Sequence, residues 1–399
     1  MSLNLSIPEH IEPLRNKVLK FIEERIYPVE KELFETDRDG RRGTMQRLMK
    51  EAKAQGLWAL GHPEEIGGGG LPFMDYVFIN EVVGRSAAAT VALGTHSLQD
   101  SIMLNLYASP EWRDRYLKPL VAGEIFPSFA MTEPDVASSD PTQLQTRAEL
   151  IGDEWVINGR KWFTSGAAQA AYTTVMCRTE TGVPDHAAFS QIVVPTDTKG
   201  YNIVRDVAVM GEYEGHYEVA YDNVRVPKAN LLGPRGQGFK IAQDRLGPGR
   251  IFHCMRWLGQ AQRAFDLMCQ RANSRVAFGK TLGEHQQIQK FIFDSAAEIQ
   301  ASRLLTLHAA QKIDQGDEAR VEIGLIKVYG ASMLHSVIDR AIQVWGAKGV
   351  TEDTPLERMY RHARFARIYD GADEVHVQTT ARRILKFYGN GGTFDFGLR

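Results

Sequence analysis

Cysteine is scarce. The chain of 399 residues has three, Cys177, Cys254 and Cys269, an odd number with no C-x-x-C spacing. Neither a disulfide framework nor a zinc site is indicated by that count, and it points to a reducing compartment. Charge of one sign is also missing, since 47 basic residues meet 49 acidic ones for a net charge of −2. No electrostatic footprint for nucleic acid or an anionic membrane follows from such a balance. Ser2 to His10 lack the basic and apolar regions of a signal peptide and the Arg-rich character of a transit peptide. No apolar run approaches the ~20 residues that span a bilayer. The expectation is a cytoplasmic enzyme with no membrane insertion and no nucleic-acid partner. What the chain does have is length and 43% apolar residues, enough for two or three domains with buried cores.

From Pro8 to about Phe126 the spacing is helical. Ile11, Leu14, Val18, Ile22 and Ile26 recur at three and four residues, and Pro28 interrupts them. His62 to Pro72, with glycine at 67 to 70, is a loop. It follows no β-rich run and has no G-x-G-x-x-G register, so it reads as a chain reversal rather than a phosphate cradle. Near Pro127 the texture changes to β-branched and aromatic residues. Asn158-Gly159, between extended runs on either side, predicts a two-residue hairpin turn. Further strands are expected over 188–194, 201–204 and 216–221. Beyond Phe239 helical spacing returns in four long amphipathic segments with short connections. The predicted class is multi-domain α+β, with an N-terminal all-α domain (1–127), a middle β-barrel domain (128–239) and a C-terminal four-helix bundle (240–399).

Arg367 to His376 holds the candidate chemistry. On spacing alone it is an ordinary helix start, with Asp370 as N-cap and Asp373 and Glu374 in the first turn near the positive end of the dipole. The run Arg358, Arg361, Arg364 and Arg367 lies at helical spacing and is assigned to structural ion pairs.

Four other segments change the weight given to Asp370: Met131 to Asp140, Lys161 to Gly166, Arg275 to Gln286 and Gln343 to Gly349. In order and spacing they resemble the acyl-CoA dehydrogenase family, flavoenzymes built as a helical domain, a β-barrel and a four-helix bundle. The resemblance implies FAD as cofactor, an acyl-CoA substrate, an electron-transferring flavoprotein as acceptor and a homotetramer arranged as a dimer of dimers. It makes Asp370 the α-proton base. It places Met131, Thr132, Trp162, Phe163, Thr164 and Ser165 against the flavin ring system. Arg275, Phe278, Leu282, His285 and Gln286 fall in the FAD-diphosphate segment, completed by Gln343 and Ala347 across a dimer interface and by Ala372 and Glu374. Ser139, Arg250, Tyr369 and Gly371 fall to the substrate, with Ser139 on the pantetheine arm. Oxidation of a thioester at its α and β carbons needs a base, a hydride acceptor and orientation, which accounts for these residue types.

The chain departs from the common pattern of the family. Most relatives carry glutamate at the base position, and aspartate is shorter by about 1.5 Å, one carbon–carbon bond. The alternative base position of some relatives is Gly249 here. Ala372 stands where a threonine is usual, and the 135–139 loop is one residue longer. With Arg256 to Gly259, these features resemble the branch that includes mammalian family members ten and eleven, linked to long-chain, branched or 4-hydroxylated acyl-CoAs. An oxidase of the same fold acting on a nitroalkane or acyl-CoA is the competing reading, since nitroalkane oxidases also use aspartate. A DNA-protecting flavoprotein is a third, disfavoured by the balanced charge.

Overall fold

The computed structural model describes residues 6–35 and 43–396. They pack as two compact units. One comprises Met1–Leu57, Leu71–Leu93 and Gly247–Arg399; the other comprises Trp58–Gly70 and Gly94–Leu246.

In the second unit the β-rich texture forms one eight-stranded sheet. Its strands are β1 (Phe126–Ala130), β2 (Arg147–Ile151), β3 (Glu154–Ser165), β4 (Ala170–Arg178), β5 (Phe189–Pro195), β6 (Tyr201–Val209), β7 (Glu212–Pro227) and β8 (Leu231–Leu232). The order is β6-β7-β3-β2-β4-β5-β8, with β1 added parallel to β4. Trp155, Ile157, Val175, Ile192, Val194, Val219 and Tyr221 turn one face of the sheet into a core. Burying each such side chain contributes about 1.5–3 kcal/mol.

The expected hairpin turn at Asn158-Gly159 is not there. β2 and β3 pair Ile151 with Glu154, so the turn is Gly152-Asp153, with Gly152 at φ +64°. At Gly159 the strand runs on, with a shift in its register against β7. A Cβ there would lie 2.4 Å from Thr146 Oγ1, so this glycine serves a close approach rather than a reversal. Both dipeptides carry turn chemistry, and only the pairing register chooses between them.

The glycine loop behaves as its sequence suggests. The N–H groups of Gly68, Gly69 and Gly70 donate to the carbonyls of Pro63, Ala59 and His62, folding the run back on itself. His62 is fully buried, with Nε2 3.2 Å from Ser97 Oγ. Burial, reinforced by nearby His96, pushes its imidazole down to about 4, and burial puts His96 at about 4 as well. As pH falls below the ordinary histidine value the unfolded chain takes up these protons before the folded one does. The stability they contribute is therefore complete at neutral pH and is lost as pH falls toward 4. Between pH 7.5 and 5 the loss should be about 2 kcal/mol per imidazole. Urea midpoints at the two pH values measure it, and His62→Gln should remove that residue's share.

In the first unit the four expected long helices are Gly238–Ser274, which begins in the other unit, Gln286–Asp314, Arg320–Trp345 and Asp373–Gly389, with a shorter Leu356–Ala366 between the last two. Within 320–350 one 18-residue window is apolar enough to cross a bilayer, and most of that window is buried in the bundle, as in a core helix. Two glycines let the Phe73–Val83 helix touch the Gly238–Ser274 helix backbone to backbone. A Cβ on Gly259 would meet Glu81 O at 1.9 Å, and one on Gly84 would meet Arg256 Cα at 2.3 Å. Asn80 Nδ2 donates to Phe252 O (2.7 Å) in the same contact. The turn carrying residues 252–257 is thereby held in place. Three members of the arginine run take structural partners: Arg361 with Glu357 (3.1 Å), Arg367 with Asp373 (2.7 Å) and Arg358 over the Phe34 ring.

Candidate active site

Asp370 does not cap a helix. The Asp373–Gly389 helix has Ala372 at its N-cap with no side-chain cap, so Asp370 stands two residues earlier, while Asp373 and Glu374 do occupy the first turn. The chain reverses there through two left-handed residues, Asp370 at φ +53° and Gly371 at φ +98°. Aspartate is among the few non-glycine residues that adopt this conformation readily. A Cβ on Gly371 would lie 2.7 Å from His376 Nε2, so glycine is required by space as well as by dihedral. His376 Nε2 donates to the Asp370 carbonyl (3.0 Å), and burial pushes that imidazole's pKa down. Buried Asp373 accepts from Arg367 Nε (2.7 Å) and Lys327 Nζ (3.3 Å), fixing the far side of the turn.

The carboxylate of Asp370 faces the Gly238–Ser274 helix. His253 Nε2 lies 3.0 Å from its Oδ2, the separation of a hydrogen bond in an alignment that is not linear. Arg256 Nη2 lies 2.9 Å from His253 Nδ1. Burial opposes the charges of Arg250, Arg256 and Lys327, and Asp370 is among the groups that offset it for each. Tyr369, whose hydroxyl accepts from Trp257 Nε1 (2.7 Å), packs beside the His253 ring with 5.4 Å between centroids. Burial pushes its phenol far up, so it stays protonated. A carboxylate among cations, still partly exposed, can accept a proton from a group brought to it. Of the residues expected at the substrate, Arg250, Tyr369 and Gly371 are gathered here. His253 and Trp257 were missed as site residues, although His253 and Arg256 sit three apart on one helix face.

In the other unit the residues expected at the flavin ring cluster around β3. Trp162 N donates to Thr132 O (3.0 Å), and Thr132 Oγ1 donates to Trp162 O (2.8 Å). Behind them, fully buried Lys161 reaches Met131 O and Glu133 Oε1, both at 2.8 Å. Burial pushes the Glu133 carboxyl up, but Lys161 and the N–H groups of Gln145 and Thr146 outweigh it and leave it below the ordinary range. Lys161 and Glu133 were not expected at the site. They tie the Met131 loop to β3. Phe163, at φ +49°, is exposed and stacks edge-on with Trp162; Ser165 Oγ lies 2.8 Å from His216 Nδ1. Thr164 Oγ1 is buried with no partner among the described residues, which fits a hydrogen-bonding cofactor edge. On the longer loop Ser138 holds the backbone, accepting from Glu133 N at 2.9 Å, and leaves Ser139 exposed.

The expected diphosphate segment is a ribbon turn between two bundle helices, Val276–Ala277 paired with Lys280–Thr281. At its tip Phe278 is 97% exposed at φ +52°, and Arg275 and Gln286 are exposed at its base. His285 Nε2 lies 3.2 Å from Ala277 O, and Leu282 is partly buried. Gln343, Ala347 and Glu374 are exposed on the bundle, with Ala372 partly so.

Comparison with known proteins identifies the family of the whole chain. Models of the acyl-CoA dehydrogenase N-terminal, middle and C-terminal domains match residues 8–124, 128–224 and 236–385. The chain is 44% identical over 350 residues to FadE2 of Mycobacterium tuberculosis, whose name places it among acyl-CoA dehydrogenases, covering 86% of this chain and 85% of that one. It is 40% identical over 389 residues to acyl-CoA dehydrogenase family member 11 of Homo sapiens, covering 93% of this chain and 50% of that protein. The chain thus spans about half the length of the family member 11 relatives. The structure of butyryl-CoA dehydrogenase from Megasphaera elsdenii superposes with a TM-score of 0.84 at 26% identity, over 96% of this chain and 100% of the other.

Proposed function

The chain belongs to the acyl-CoA dehydrogenase family, whose members depend on FAD, and on that premise we propose that it oxidises a saturated acyl-CoA to the trans-2-enoyl-CoA with Asp370 as base. The observation that carries this reading is the Asp370 turn. Its carboxylate caps no helix, is held in a left-handed conformation and is faced by His253 with Arg250, Arg256 and Lys327 close by.

Asp370 takes the proton released when the α C–H bond breaks, and that bond's electron pair enters the new double bond. FAD, when bound, supplies the acceptor for the hydride that leaves the β carbon. Trp162, Phe163 and the Met131–Thr132 loop would hold its ring system, with Thr164 Oγ1 gaining the partner it lacks among the described residues. Arg275, Phe278, Leu282, His285 and Gln286 would hold the diphosphate side, with Ala372 and Glu374. Gln343 and Ala347 would act from a second copy in a homotetramer. Exposed Ser139 would meet the pantetheine arm, and Arg250, Tyr369 and Gly371 the acyl thioester end. Binding energy from the remote nucleotide and arm can then orient the reacting carbons. Long-chain, branched or substituted acyl-CoAs are the proposed substrates, and an electron-transferring flavoprotein the proposed acceptor.

One experiment tests the set. The protein, expected to purify yellow and as a tetramer by light scattering, is mixed anaerobically with saturated acyl-CoAs of varied length and branching, and with nitroethane. At least one acyl-CoA should bleach the flavin rapidly and nitroethane negligibly. The reduced, product-bound enzyme should pass electrons quickly to an electron-transferring flavoprotein and slowly to oxygen, since a filled site excludes water and oxygen. Faster reduction by nitroethane than by any acyl-CoA, or rapid peroxide formation, would move the assignment to the oxidase.

A further inference from the structure

Arg256 reaches His253 Nδ1 with Nη2 at 2.9 Å. A guanidinium has only donors, so Nδ1 must be the acceptor and the ring proton must sit on Nε2. That puts the donor atom Nε2 3.0 Å from Asp370 Oδ2, in an alignment that falls short of a hydrogen bond. Arg256 at Nδ1 opposes a second ring proton there, while the Asp370 carboxylate on the other side favours a proton on Nε2. The ring is confined laterally by Tyr369 and Trp257, with centroids 5.4 and 6.3 Å away. Its helix is locked by the Gly84 and Gly259 backbone contacts.

We propose that His253 is the positioning residue of Asp370: a neutral imidazole, held in one tautomer by Arg256, whose Nε2–H closes onto Oδ2 and fixes the short carboxylate in its proton-accepting pose. The inference rests on the reading of Asp370 as base and adds a reason that a short base serves. One oxygen is anchored from the helix, while the backbone of the same residue is anchored by its left-handed turn and by His376 on its carbonyl. Such bonds are often poorly aligned without substrate and tighten in its presence. Without the anchor, a displacement of about 1 Å would cost about a hundredfold in rate.

Two variants of similar size separate the bond from mere packing. In His253→Gln the side-chain amide N–H takes the place of Nε2–H; in His253→Asn the shorter amide takes the place of Nδ1 and cannot reach Oδ2. Rapid anaerobic mixing with an acyl-CoA that reduces the wild type gives the rate of flavin bleaching, and equilibrium titration gives acyl-CoA affinity. The expected result is an unchanged dissociation constant for both, bleaching close to wild type for His253→Gln, and bleaching slower by about a hundredfold for His253→Asn. Equal rates for the two variants, fast or slow, would overturn the proposal. Asp370→Asn run beside them keeps the two readings apart. If it still bleaches, the base assignment itself has failed; if it is inert while His253→Asn matches the wild type, only the positioning role has.

Discussion

Asp370→Asn should bind FAD and acyl-CoA as the wild type does and lose flavin reduction by about 10²–10⁴-fold, the range that a general base contributes. The amide nearly matches the carboxylate in volume. Asparagine also tolerates the φ of +53° found at this position, so the turn between the two helices should survive. What it cannot do is accept the α proton. Anaerobic mixing with a reducing acyl-CoA, after FAD content and acyl-CoA affinity have been checked, isolates the chemical step. Asp370→Glu should also be slow. Its extra bond of about 1.5 Å would carry the carboxylate toward His253, which already stands 3.0 Å away. Near wild-type reduction by the asparagine variant would return Asp370 to a structural part.

The second large effect is expected at the Lys161–Glu133 pair. Lys161→Met should destabilise the β-rich unit by about 3–5 kcal/mol, because it leaves a buried carboxylate without its counter-charge. Glu133 would keep the N–H groups of Gln145 and Thr146, at 2.7 and 2.9 Å, to offset its desolvation. Lys161 also holds the Met131 carbonyl. Loosening of the Met131–Thr132 loop should therefore accompany the loss, visible as weaker FAD retention on dilution. The double variant Lys161→Met with Glu133→Leu should recover much of the stability, since removing both charges avoids the penalty of a lone buried one. Urea unfolding followed by tryptophan fluorescence measures both variants. A Lys161→Met midpoint equal to wild type would mean that the pair contributes nothing.

The succession of helix, strand and helix was legible along the chain because each element writes its period locally: three and four in Ile11 to Ile26, and β-branched alternation beyond Pro127. Asp370 was singled out in the sequence through its resemblance to a family motif, and the proposal of a base rests on that together with the turn. Balanced charge and scarce cysteine narrowed the chemistry by composition alone. Tertiary structure decided the rest. A turn dipeptide is only a local preference, so Asn158-Gly159 stayed within a strand and Gly152-Asp153 became the turn once strand register was set. A buried face is recognisable from its period, but the face it meets is not. Hence Lys161 found Glu133 across 28 residues, and His253 found Asp370 from a different helix. The left-handed conformation of Asp370 arises because two helices must be joined within a few residues, and that geometry, rather than any propensity of the sequence, turns a residue that reads as a helix cap into a carboxylate facing His253.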